Sequence, residues 1–485
     1  MMVLGMCSVV SAAETSGKYN DDNGSITINA AIKDHPYTIY RILQLESFSG
    51  DDADLENGNY AYKVETGWEG FVDDTDKGGK YLEKDVDGYV TWKPSADKKE
   101  FAKEALEYAK TLSTSGSYKN TQTTTTNTLK FSDLKLGYYL VDSSVGSLCF
   151  LGTTNKDVTI QEKNGVPSVE KKVKSGTTYE EKNTASIGDK VEFQTTITAQ
   201  AGAQNYVLHD KMSDGLTFLE STVKVQRQVG SATPTNVDSG YTVKTDGLGE
   251  STPNVCTFHI EFNQTFCDTL QANEKIIITY SATLNENAKV GTSENTNETW
   301  LMYGENSSIK SNEDSTKTFT YKIPVFKYTK KDGTNKGLSG AIFTLSKNSN
   351  GGNPIELVKI TATEDTYRVA KETEEAGITK ITQVTTPENG KFTIQGLDAD
   401  TYYLTETKQP AGYNKLSAPV KITIDEDGKI KVNDAAITGT DVEVENKSGS
   451  LLPSTGGRGT TLFYILGAIL VVGSGVVLIT KKRMK

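Results

Sequence analysis

Hydrophobic and polar residues alternate with a period of two along most of this chain. VEFQTTITA, KIIITYSATL, KFTIQGL, YYLTETK, VKITID and DVEVENK alternate in this way or are rich in β-branched and aromatic residues, and clusters of Gly, Asn, Asp and Pro separate them. That pattern predicts a mainly β chain of tandem β-sandwiches. One stretch departs from it. In residues 95–113, SADKKEFAKEALEYAKTLS, Phe101, Ala105, Ala109 and Leu112 recur at helical spacing, which predicts a helix packed on the N-terminal unit. The TQTTTTNT that follows reads as a polar loop. Residues 461–480 carry no charge and match the ~20 residues of a membrane-spanning helix. The basic tail 481–485, KKRMK, then places the C-terminus in the cytoplasm and everything before about residue 460 outside. MVLGMCSVVSAA at the other end, with Ser11 and Ala13 at the small-residue spacing of a signal-peptidase site, reads as an export signal over residues 1–13 despite lacking a basic start.

Two positions where a lysine-bearing strand begins after a turn divide the exported part. The expected units are residues 14–165, 166–315 and 316–447, followed by a linker over 448–460. A net charge of −11 with no basic patch argues against a nucleic-acid partner. Of the four Cys, Cys7 falls in the export signal, and Cys149, Cys256 and Cys267 are too few for a disulfide framework. In VCTFHIEF, Cys256 shares strand parity with Phe258 and Ile260, so a buried free thiol is expected, with a Cys256–Cys267 disulfide as the alternative. His35, His209 and His259 are scattered, and neither a His-Glu-x-x-His nor a Gly-x-Ser-x-Gly pattern occurs, so no metal site, cofactor or enzyme activity is expected. His209, beside Asp210, reads as a structural histidine at a strand end.

The pentapeptide Leu452-Pro453-Ser454-Thr455-Gly456, followed by the apolar span and the basic tail, resembles a sortase sorting signal. The resemblance implies that a membrane-bound sortase cleaves between Thr455 and Gly456, holds Thr455 as a thioester and passes it to an amine. Peptidoglycan as acceptor gives an anchored monomer; a lysine of another copy gives a fibre. DVTIQEKNGVPSVEKKVK resembles the end of the first domain of Gram-positive backbone pilins, where Val-x-Val-Tyr-Pro-Lys-Asn occurs. Val158, Ile160, Lys163 and Asn164 match, while Gln161 and Glu162 replace Tyr-Pro. Lys163 is thereby the candidate acceptor.

Strand parity singles out further residues. In PSVEKKV, Lys171 shares a face with Val169 and Val173; in YVLHDKM, Asp210 shares one with Leu208 and Met212; in ENTNETWLMYG, Asn297 shares one with Thr299, Leu301 and Tyr303. These polar residues on apolar faces stand where the fimbrial isopeptide-forming (CnaA-like) domain, which this segment resembles, has its Lys, Asp and Asn. The last unit resembles the SpaA-type, CnaB-like prealbumin domain: FKYTKKDG and LSGAIFTL match its opening, and YYLTETKQPAGY its E-box with Glu406 inward. Lys330, on one face with Phe326 and Tyr328, is the candidate lysine, with Lys327 beside Val325 as its rival. Asn446 follows Val442 and Val444 inward in the last strand. The family implies immunoglobulin-like sandwiches.

These residue types suit one reaction. Burial strips a lysine of its charge and makes a nucleophilic amine, and it keeps a carboxylic acid protonated. Such an acid polarises the Asn carbonyl and shuttles a proton while ammonia leaves, which yields a Lys–Asn isopeptide bond. Without reaction, the same residues would form a buried charge pair or hydrogen-bonded network. The leading expectation is a structural pilus subunit with sortase, peptidoglycan and other copies of itself as partners, and with minor pilins and a host or matrix ligand as further candidates. The alternative is a monomeric wall-anchored adhesin or minor pilin.

Overall fold

A computed structural model describes residues 16–18, 22–49, 59–112, 116, 118–143, 157–161, 165–200, 202–245, 256–304, 307, 309–360, 365–449 and 459–484. The export signal, Cys149, Lys163 and the Leu452–Gly456 stretch lie outside them.

The N-terminal unit pairs a seven-stranded sheet centred on Pro36–Ser49 with a three-stranded sheet in which Asp157–Gln161 runs parallel to Asp22–Asn29. The expected helix spans Lys98–Thr111, and Asp97 caps it by accepting the Glu100 backbone N–H. Phe101, Ala105 and Ala109 are buried on it against Trp68, Phe71 and Tyr81, so the periodic face is the packed face.

The second unit is a sandwich of two six-stranded sheets. Ser168–Ser175, Lys190–Thr198, Lys275–Leu284 and Leu216–Gln228 are consecutive in one; Ile309–Phe319, Asn295–Tyr303, Val207–Met212 and Phe258–Phe262 are consecutive in the other. Strand Ile309–Phe319 carries this unit past residue 315, where its end was expected. Its side chains also close the open edge of the first strand: Asp314 accepts the Lys171 backbone N–H at 2.7 Å, and Asn312 bonds both backbone groups of Val169.

The third unit starts at Tyr321–Lys331 and is again two six-stranded sheets, with Val442–Glu445 parallel to Tyr321–Lys331. Only Thr320 separates it from strand Ile309–Phe319. The junction is bonded directly: Ile187 N–H donates to Gly396 O at 3.0 Å, the Asp398 N–H donates to Ser186 Oγ at 3.1 Å, and Lys371 pairs with Glu286 at 2.6 Å. Gly396 has φ +79°, and a Cβ there would lie 2.6 Å from Ile187 Cδ1, so this contact requires glycine. After the third unit, Gly459–Arg483 is one apolar helix, a turn longer than the expected span and including three basic residues at its end.

Candidate functional site

Two buried polar clusters occupy the cores of the second and third units. In the second, period-two alternation turns Lys171 inward from one sheet and Asp210 and Asn297 inward from the other. All three are fully buried. Asp210 lies opposite Thr299, and Asn297 opposite Met212, so acid and amide are diagonal neighbours on one face. Lys171 Nζ lies 2.5 Å from Asp210 Oδ2 and 3.4 Å from Thr195 Oγ1, and it also bonds the Tyr280 hydroxyl. Tyr280 in turn donates to Asp210 Oδ2 and accepts from Asn297 Nδ2 at 3.2 Å. Burial holds the Lys171 amine below its ordinary 10.5 against the opposing pull of Asp210, and pushes Asp210 above its ordinary 3.8. Among the described residues, Asp210 Oδ1 and Asn297 Oδ1 are buried without a partner.

Tyr280 and Thr195 were missed as members of this cluster. The signal was present: in KIIITYSATL, Tyr280 has the parity of Ile276, Ile278 and Ala282, a hydroxyl on an apolar face.

In the third unit the lysine is Lys327, which corrects the choice of Lys330. Counting inward positions from Tyr321 through Ile323 and Val325 reaches Lys327, which is fully buried, whereas Lys330 is exposed opposite Asn335 in the hairpin. Phe326 and Tyr328, which suggested the other face, stack on each other outside, their rings 5.4 Å apart. Lys327 Nζ bonds Asn446 Oδ1 and lies 3.2 Å from Glu406 Oε1. Asn446 Nδ2 donates to both Glu406 oxygens, at 2.9 and 3.2 Å, and the Leu416 N–H holds Glu406 Oε2 at 2.8 Å. Burial lowers the Lys327 amine as well. Here lysine and amide sit on neighbouring parallel strands, with the Asn446 N–H donating to Tyr328 O, and the acid reaches across from the other sheet. In the second unit the division differs: the lysine shares its sheet with Thr195 and Tyr280, while acid and amide both come from the other sheet.

Cys256 and Cys267 are both buried free thiols. Cys267 belongs to the core, but Cys256 does not take the inward parity expected of it. It precedes strand Phe258–Phe262, and its sulfur meets His209 on the opposite side of the sheet from Asp210.

Comparison with known proteins identifies the third unit and the C-terminal segment. Residues 324–436 match the SpaA prealbumin-like fold domain, and residues 444–485 match the LPXTG cell wall anchor motif. The chain is 24% identical over 386 residues, 66% of its length and 70% of the relative's, to the trypsin-resistant surface T6 protein of Streptococcus pyogenes. It is 37% identical over 95 residues to fimbrial subunit type 1 of Actinomyces viscosus, a match spanning 20% of this chain and 17% of that one. The fold is similar to that of the three-domain T6 backbone pilin of Streptococcus pyogenes, with a TM-score of 0.53 and 16% identity over 90% of this chain and 95% of that structure. The chain thus carries a SpaA prealbumin-like domain and an LPXTG cell wall anchor motif, and it is similar in sequence to a streptococcal surface protein and a fimbrial subunit and in fold to a three-domain pilin.

Proposed function

We propose that this subunit forms the shaft of its pilus, joined from the Thr455 carboxyl to the Lys163 amine of the next copy by sortase, and that each copy is locked internally by Lys171–Asn297 and Lys327–Asn446 isopeptide bonds. The observation that carries the internal bonds is the recurrence, in two successive sandwiches, of a fully buried lysine against an acid and an asparagine.

The reaction balances within each cluster. The neutral amine attacks the Asn Cγ, forming Nζ–Cγ; the acid polarises the carbonyl and carries a proton from Nζ to Nδ2; the Cγ–Nδ2 bond breaks and ammonia leaves. In the third unit Glu406 already accepts from Nδ2, the nitrogen that departs. In the second, the partnerless Asp210 Oδ1 and Asn297 Oδ1 fit an acid proton shared with the amide carbonyl, while Tyr280 steadies amine and amide. Prior positioning of these groups supplies the proximity that can lower a barrier by about 7–11 kcal/mol.

Intact-mass measurement of the purified mature chain tests the internal bonds. Two lost ammonia molecules lower the mass by about 34 Da, counted as covalent modifications. The unreduced mass would overturn them. Tandem mass spectrometry of cell-wall digests tests the linkage between copies: a branched peptide joining Thr455 to Lys163 is expected. Finding Thr455 on peptidoglycan alone would make the protein an anchored monomer.

A further inference from the structure

The outer face of the second sandwich carries a cluster that the isopeptide chemistry does not use. His209 and His259 are register partners on the antiparallel strands Val207–Met212 and Phe258–Phe262, with ring centroids 5.4 Å apart. Cys256, just before the second strand, places Sγ 3.3 Å from His209 Nδ1. One nitrogen from each His and the Cys sulfur lie within 4.8 Å of one another. The geometry points to a transition-metal site of the imidazole–thiolate class, with His209, His259 and Cys256 as ligands to a Zn(II)-like cation.

Four features support it. His259 is 8% exposed, yet its Nδ1 has no partner among the described residues, a state that a buried imidazole nitrogen avoids unless something binds there. The other nitrogen, Nε2, lies 3.3 Å from Glu261 Oε1, the carboxylate support that metal-bound histidines characteristically have, and Lys244 fixes Glu261 at 2.7 Å. Trp300 stacks on His209 with parallel rings 5.3 Å apart and fixes its plane. The spacing is also close to what coordination needs: with Zn–N of about 2.0–2.1 Å and Zn–S of about 2.3 Å, tetrahedral ligand atoms sit roughly 3.3–3.6 Å apart. The His209–Cys256 pair is already there, and small side-chain rotations bring in the third.

Two nitrogens and one sulfur favour Zn(II) or copper over Ca(II) or Mg(II), which take oxygen. On binding, the Cys256 thiol releases its proton to solvent and the sulfur–metal bond forms; no oxidant is involved. Three protein ligands leave a fourth position for water. Sequence spacing hides the site, because 46 residues lie between His209 and Cys256 and only strand pairing brings them together.

The test is Co(II) titration of the reduced, metal-stripped full-length chain in detergent. One equivalent should bind with a thiolate-to-cobalt charge-transfer band, and one equivalent of Zn(II) should abolish that band. A chain carrying Cys7→Ser, Cys149→Ser and Cys267→Ser, with Cys256 as its sole thiol, should keep the band. Cys256→Ser should lose it, and His259→Gln should weaken Co(II) binding at least tenfold. Absence of the band in the wild-type chain, or its loss in the single-thiol chain, would overturn the proposal even if Cys256→Ser fails to fold.

Discussion

At the scale of the residue, a lysine amine in a protein core is tolerable only when its proton is lost or fully shared. Lys327 and Lys330 stand three residues apart on one strand and differ in just this respect: one is buried against Glu406 and Asn446, the other is in water. The proposed bond therefore assigns them different fates. Lys330→Ala should retain both ammonia losses in the intact mass, whereas Lys327→Ala should retain only one. Glu406→Ala should behave like Lys327→Ala in mass but fold less stably, since it leaves the buried amine without its acid, a loss of about 3–5 kcal/mol for a broken buried pair. Thermal unfolding of the two variants measures that difference. Equal mass deficits in Lys327→Ala and wild type would refute Lys327 as the linked residue.

At the scale of the element, the short strand Thr366–Val369 and the loop after it show how a segment with little core of its own is fixed. Arg368 holds Glu374 through two bonds at 2.7 and 2.6 Å, and Glu374 also accepts the Lys371 N–H. The guanidinium lowers Glu374 from its ordinary 4.5 to about 2. A carboxylate whose folded value is depressed stabilises the fold fully above its unfolded value, and the contribution is lost as pH falls from about 4.5 toward 2. The shift corresponds to about 3 kcal/mol. Stability of the wild type, followed by denaturant unfolding, should drop across that window, and Glu374→Gln should flatten the drop. The same loop presents Lys371 to Glu286 of the second unit, so acid should loosen the junction as well. Elements of this kind were the least legible in the sequence. Strands that alternate cleanly, such as Lys190–Thr198 and Lys275–Leu284, and the Lys98–Thr111 helix could be read because one face is buried and the other wet. The lysine of the third unit was misread because Phe326 and Tyr328 form an aromatic pair on the outer face and imitate a core face. Cys256 is the buried free thiol expected, but its face was misread because it precedes its strand, where parity does not yet apply. The histidine pair escaped because register between distant strands is invisible to local spacing, whereas Tyr280 was legible as a hydroxyl on an apolar face and was passed over.

At the scale of the whole molecule, the proposed bonds decide which parts of the chain feel tension. If force enters at Lys163 and leaves at Thr455, the N-terminal unit lies outside the load path, because its strands precede the point of attachment. Between those points the Lys171–Asn297 bond bypasses residues 172–296, and the Lys327–Asn446 bond bypasses a loop closed by residues 119 apart. What remains under load is the short segments 163–171 and 446–455 at the two ends and, between the bonds, a stretch of about 30 residues from Asn297 to Lys327, most of it in strands Asn295–Tyr303 and Ile309–Phe319 and in the start of the third unit. At about 3.4 Å per residue that stretch can lengthen by no more than roughly 100 Å. Two-point force spectroscopy with handles at Lys163 and the sorting segment should therefore record no longer event in the wild type. Lys327→Ala should add an extension of roughly 400 Å as the third unit unfolds, since its 119-residue span is then open. An event of roughly 400 Å in the wild-type chain would mean that at least one of the two clusters holds its residues by hydrogen bonds alone, since the spans closed by Lys171–Asn297 and Lys327–Asn446 are of similar length.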